Sequence, residues 1–174
     1  LMNKALEVVE ARWLFDISPE NIEVLIHPES IIHSMVEFRD GSIIAQLGTP
    51  DMRLPIQYAF TYPERVPSMV KRLDLAKAAS LHFSRPDTGR FPALKLGRRV
   101  LEEGGVAPCV MNAANEQAVS LFLAGKIGFL DIPELVEEAI EKHPRRSRPT
   151  LEEIFELDRW AREFVISRSK KGAV

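Results

Sequence analysis

Apolar positions recur at helical spacing at both ends of the chain and at strand spacing between them, so the hydropathy pattern divides the sequence into three zones. At the start, Met2, Leu6, Val9 and Trp13 share one stripe of a helix expected to run to about Phe15, where Ser18-Pro-Glu-Asn interrupts it. Ile22 to Ile26 reads as a short strand of branched residues stopped by His27-Pro28. Ile31 to Phe38 and Ser42 to Leu47 flank Arg39-Asp40-Gly41, and Asp-Gly between two such runs is a strong hairpin signal. The spacing predicts an antiparallel sheet covered on one face by helices, its other face free for a partner subunit or the rest of a site.

Gly48-Thr-Pro-Asp then turns the chain into a helix expected from near Arg53 to Phe60, with Pro55 in its first turn. From Tyr62 to Pro92 the prolines at 63, 67, 86 and 92 and Gly89 mark a crossing linker, which Phe83 and Phe91 anchor locally. The last zone is helical. Ala93 to Glu103 ends at Gly104-Gly105, and Asn112 to Ala124 ends at Gly125. Asp131 caps a helix carrying Pro133 and Glu134, and Thr150 with Glu153 forms a capping-box pattern ahead of the stripe Ile154, Leu157, Ala161 and Phe164. The tail from Ser167 is expected to fray, with charges that solubilise. The fold class is therefore α+β: residues 1–62 an antiparallel-containing sheet with covering helices, 63–92 a linker, and 93–174 a four-helix bundle-like domain.

A net charge of -2 and a pI near 6.1 give no long-range attraction for nucleic acid or anionic membrane. Lone Cys109, in Pro108-Cys-Val-Met, excludes an internal disulfide and reads as a buried small hydrophobe. No apolar run reaches transmembrane length and the first helix lacks an apolar signal region, so the cytoplasm is the default location. The chain begins at Leu1 without an initiator methionine, and residues upstream of it are expected.

Asn3, Lys4 and Glu7 point away from the apolar stripe of the first helix. An amide, a fixed ammonium and a carboxylate suit a phosphorylated or metal-chelating ligand, while Lys and Glu three apart also form an ordinary solvated pair. His27 reads as a loop residue and His33, on a strand face with Ile31 and Met35, as a half-buried histidine held by hydrogen bonds. No two histidines have zinc spacing, and one carboxylate is too few to hold a hard cation. No glycine-rich run follows a strand with dinucleotide spacing, since Gly104-Gly105 ends a helix. Pro50 and Met52 form an apolar edge suited to a planar ligand, with Asp51 and Arg53 stabilising the turn.

Leu-Met-Asn-Lys-Ala-Leu-Glu-Val-Val-Glu-Ala-Arg-Trp-Leu-Phe at the start, Glu23 to Val36, and Ala45 to Arg53 resemble the 1-deoxy-D-xylulose 5-phosphate reductoisomerase family. Phe91-Pro, Asn112-Ala-Ala-Asn-Glu and Gly128-Phe-Leu-Asp-Ile extend the resemblance over essentially the whole chain. It implies an enzyme that isomerises 1-deoxy-D-xylulose 5-phosphate and reduces the intermediate with NADPH to 2-C-methyl-D-erythritol 4-phosphate, for isoprenoid synthesis. The family looks like a nucleotide domain, a catalytic domain that also makes a homodimer, a linker and a bundle. This chain then spans the end of the catalytic domain, the linker and the bundle.

The resemblance assigns Asn3 and Lys4 to the substrate's phosphate end and hydroxyls, and Glu7 to the last of three carboxylates that hold Mg or Mn. It assigns His33 to the neighbourhood of metal and substrate, and Pro50 and Met52 to the substrate and nicotinamide pocket. Lys4 and Glu7 are the catalytic candidates. Ala5 stands where many members carry glycine. The other metal carboxylates and the NADPH domain lie upstream in the family, so the 174 residues by themselves are expected to be inactive. A eukaryotic source would place the protein in a plastid. The competing expectation is a non-catalytic binding or scaffolding module on the same fold.

Overall fold

The computed structural model describes residues 1–170, which form two compact units: residues 1–24 with 87–170, and Leu25–Pro86. The first unit holds helix α1 (Met2–Phe15) and the four helices α4 (Ala93–Glu103), α5 (Ala107–Leu123), α6 (Asp131–Lys142) and α7 (Leu151–Ser169). The second holds strands β1 (Ile32–Glu37) and β2 (Ile43–Leu47) and helices α2 (Arg53–Thr61) and α3 (Leu75–Ala78).

Helix α5 lies against α6 and α7, and α4 joins it to α1. Small side chains make this possible: Ala107, Ala113, Ala114 and Ala118 are all fully buried on α5, so three neighbours can approach it closely. It starts five residues earlier than the Asn112 expected from sequence, because Val106 is already helical and Pro108 occupies the first turn, where a missing N–H costs nothing. The Thr150 box forms as expected, with Glu153 N–H donating to Thr150 Oγ1 at 3.3 Å and Thr150 N–H to Glu153 Oε2 at 2.9 Å. The expected fraying from Ser167 is corrected: α7 continues to Ser169, where Arg168 Nε donates to Glu138 Oε2 of α6 at 2.6 Å. The tail beyond residue 170 lies outside the described residues. Asp131 is the first residue of α6 rather than its cap, and its Oδ2 accepts from Gly128 N–H at 2.7 Å.

The apolar stripe of α1 is rotated from the expected one. Ala5 and Val8 are its buried residues, Met2, Leu6 and Val9 flank them, and Trp13 is two-thirds exposed. Hydropathy picks out the large side chains, but a helix seated closely on α4 buries its small ones.

In the second unit β1 and β2 pair antiparallel, and the Asp-Gly turn is present: Gly41 sits at φ +83°, and Asp40 Oδ1 accepts from Ser42 N–H and Oγ at 2.9 and 2.6 Å. Nearly every strand side chain is exposed. Ile22 to Ile26 is not a strand, which corrects the expectation. A single 3-10 turn at Pro19–Asn21 uses Ser18-Pro-Glu-Asn, and only Ile26 makes a bridge, trading backbone hydrogen bonds with Ser84 at 2.8 and 3.0 Å. Asp74 caps α3 by accepting from Lys77 N–H, and the Tyr62–Pro63 bond is cis.

Candidate functional site

Burial of Ala5 and Val8 dictates which face α1 leaves in water. Residues 3, 4 and 7 lie on that face at one-turn spacing, and Asn3, Lys4 and Glu7 are all exposed there, as the sequence pattern requires. Lys4 Nζ donates to Glu7 Oε2 at 2.6 Å, each side chain about half exposed. The trio offers an amide and an ammonium to an anionic oxygen and a hard oxygen donor to a cation. It does not make a metal site alone. Among the described residues no group of three or more His, Cys, Asp or Glu side chains is arranged to hold a metal ion, and one Glu7 oxygen already accepts from Lys4.

The remaining candidates stand in the second unit. His33 was expected half-buried and hydrogen-bonded; the structure corrects this to an exposed ring. Both faces of the two-stranded ribbon are open, so β1 is exposed from His33 to Glu37 whichever face a side chain takes, and β1 pairs Ile32 with Leu47 and Ser34 with Gln46, so the register also slips at His33. Such an irregularity re-aims one side chain out of a ladder. The loop after β2 is anchored by buried Gly48 and by Thr49 Oγ1, which donates to the Lys71 carbonyl at 3.0 Å. Asp51 closes the turn by accepting from the Arg53 backbone N–H at 3.0 Å and from its guanidinium at 2.5 to 3.1 Å. That pairing holds the Asp51 carboxyl down to about 2. Pro50 and Met52, the latter 70% exposed, are left exposed on this turn. Beside them an open cleft of about 490 Å³ is lined by Leu47, Gly48, Leu54, Val66 and Lys71. The segment around Val66 to Lys71, read from sequence only as a crossing linker, thus returns to the loop.

One cluster escaped sequence reasoning. His27, expected as a loop residue, has its side chain 7% exposed. Its ring stacks on Phe83 with centroids 4.7 Å apart, and its Nδ1 lies 2.9 Å from the His82 carbonyl. Glu29 binds His82 twice, through the backbone N–H at 3.1 Å and ring Nδ1 at 2.5 Å, which brings its carboxyl down to about 2. The only signal was Phe83 as an anchor, because the partners are more than fifty residues apart in sequence. Cys109 is half-buried on α5, and burial raises its thiol pKa, which agrees with an inert residue.

Comparison with known proteins adds to this geometry. Residues 47–164 match the DXP reductoisomerase C-terminal domain. The chain is 59% identical over 172 residues to the 1-deoxy-D-xylulose 5-phosphate reductoisomerase of Heliobacterium modesticaldum, covering 99% of this chain and 44% of that protein. It also resembles the solved 1-deoxy-D-xylulose 5-phosphate reductoisomerase from Zymomonas mobilis in complex with NADPH, at 46% identity and a TM-score of 0.89 over 97% of this chain and 44% of that one. A crystal structure of DOX-P reductoisomerase in complex with NADPH, fosmidomycin and magnesium superposes with a TM-score of 0.91 at 42% identity, again over 97% and 44%. The chain therefore spans under half the length of these relatives.

Proposed function

The chain belongs to the 1-deoxy-D-xylulose 5-phosphate reductoisomerase family, and from that premise we propose that it supplies part of the substrate site and the helical bundle of a longer NADPH-dependent enzyme. That enzyme isomerises 1-deoxy-D-xylulose 5-phosphate and reduces the product to 2-C-methyl-D-erythritol 4-phosphate, with Mg or Mn. The observation that carries the reading is the exposed trio Asn3, Lys4 and Glu7 on a helix whose other face is locked into the core.

In this reading Lys4 and Asn3 hold the anionic, hydroxylated substrate through charge-assisted and amide hydrogen bonds. Glu7 is one oxygen donor toward the divalent ion, and the residues described here do not complete that site. His33, turned out of its ladder, orients substrate groups, and Pro50 and Met52 give the planar nicotinamide an apolar edge. Residues 1–62 act as the end of the catalytic and dimerisation domain, 63–92 as linker and 93–174 as the bundle, and the open strand faces suit a homodimer. No described helix is long and apolar enough to cross a membrane, and the work of the enzyme is assigned to the cytoplasm.

Calorimetric titration with 1-deoxy-D-xylulose 5-phosphate, with and without Mn, tests this on the 174 residues and on a form extended upstream to the length of the relatives. Metal-dependent binding and NADPH oxidation only in the extended form are expected. Turnover by the 174 residues would overturn the half-site reading. An extended form that binds nothing would favour a scaffolding module.

A further inference from the structure

Helix α1 packs on α4, and one glycine in that contact leaves no room for a side chain. A Cβ built on Gly97 would stand 2.8 Å from the Ala5 carbonyl oxygen and 3.0 Å from both the Ala5 Cα and Cβ. Two of those three atoms are backbone, so no rotamer change relieves the overlap and α1 itself must move. Gly97 lies inside α4, where alanine would stabilise the helix, so its local preference opposes what tertiary packing requires. Ala5 is fully buried against it and sits between Lys4 and Leu6, in the same turn as Asn3 and Glu7.

We infer that Gly97 is a positioning residue for the substrate site: the gap between α1 and α4 at Ala5 and Gly97 has room for one methyl group, and this sets the seating of Asn3, Lys4 and Glu7. The inference rests on the proposed role of that trio. A methyl on Gly97 displaces α1 and carries all three polar groups with it, whereas removing the Ala5 methyl at the same time returns part of the space.

The test uses the form extended to the relatives' length, with KM for 1-deoxy-D-xylulose 5-phosphate and melting temperature measured together. Gly97→Ala is expected to raise KM at least five-fold, and Ala5→Gly with Gly97→Ala to recover at least half of that rise. Val165→Ala, a buried change on α7, lowers the melting temperature and leaves KM within two-fold, which separates seating from general loss of stability. An unchanged KM in Gly97→Ala, or a double variant no better than Gly97→Ala, overturns the inference. If Gly97→Ala does not fold, the double variant decides: folding with KM near the natural value supports the inference, and failure to fold while Ala5→Gly alone folds overturns it. Lys4→Ala is the control on the premise. A KM unmoved by Lys4→Ala removes the site reading and this inference with it, whereas a raised KM there with none in Gly97→Ala removes this inference alone.

Discussion

Lys4 Nζ lies 2.6 Å from Glu7 Oε2 across one turn of α1, so the cation and the carboxylate of the candidate site neutralise each other. Both are about half in water, and an exposed helical pair of this kind contributes roughly 0.3–0.5 kcal/mol to stability. Its place in the fold is not to hold α1 down, since Ala5 and Val8 do that.

Glu7→Gln therefore separates function from folding. In the form extended to the relatives' length it is expected to lower kcat/KM on the order of 100-fold or more, the scale of losing a metal's charge stabilisation. The urea midpoint should shift by no more than about 0.5 kcal/mol equivalent. Steady-state kinetics and denaturation of the same preparation check both halves.

Glu29 predicts an acid-sensitive contact. Its carboxyl titrates at about 2 when bound to His82, against roughly 4.3 for a free glutamate. A depressed carboxylate stabilises the fold above its unfolded pKa, and that contribution disappears as pH falls from about 4.3 towards 2. Protection of the Ile26 amide, whose N–H donates to the Ser84 carbonyl beside this pair, should fall over that window once its exchange rate is divided by the intrinsic rate at each pH. Glu29→Gln should exchange faster at pH 6 and lose most of the acid dependence.

Thr150→Ala removes one half of the α7 capping box and is expected to cost about 1 kcal/mol, with Thr150→Ser close to neutral. Equilibrium unfolding in urea reads the difference directly.

Met111 is fully buried on α5, so Met111→Ala leaves a cavity that small neighbours cannot fill. A loss of roughly 2–5 kcal/mol is expected from the same measurement.

What the sequence made legible was whatever depends on neighbours within a turn or two. The hairpin at Asp40-Gly41, the Thr150 box, the end of α4 at Gly104 and the exposed trio on α1 all follow from such local rules. The shared polar face of Asn3, Lys4 and Glu7 was readable because helical spacing alone sets it. Trp13 was misread as core because hydropathy ranks side chains by size, whereas the approach of α1 to α4 rewards a missing side chain at Gly97. His33 was misread because strand alternation assumes one covered face, and this two-stranded ribbon exposes nearly every side chain on both. The burial of His27 depends on Glu29, His82 and Phe83, and a pattern scanned in short windows has no access to a partner fifty-five residues away.

The membership of α1 in the same unit as α4 to α7 also has a consequence in time. The ribosome makes Ala5 and Val8 first, yet the surface that covers them is not synthesised until α4 emerges, after the whole of Leu25–Pro86. At roughly 5–20 residues per second the delay is on the order of 5–20 seconds, long on the scale of helix formation. During translation the helix that carries the candidate site is thus made well before the α4 surface on which Ala5 is seated.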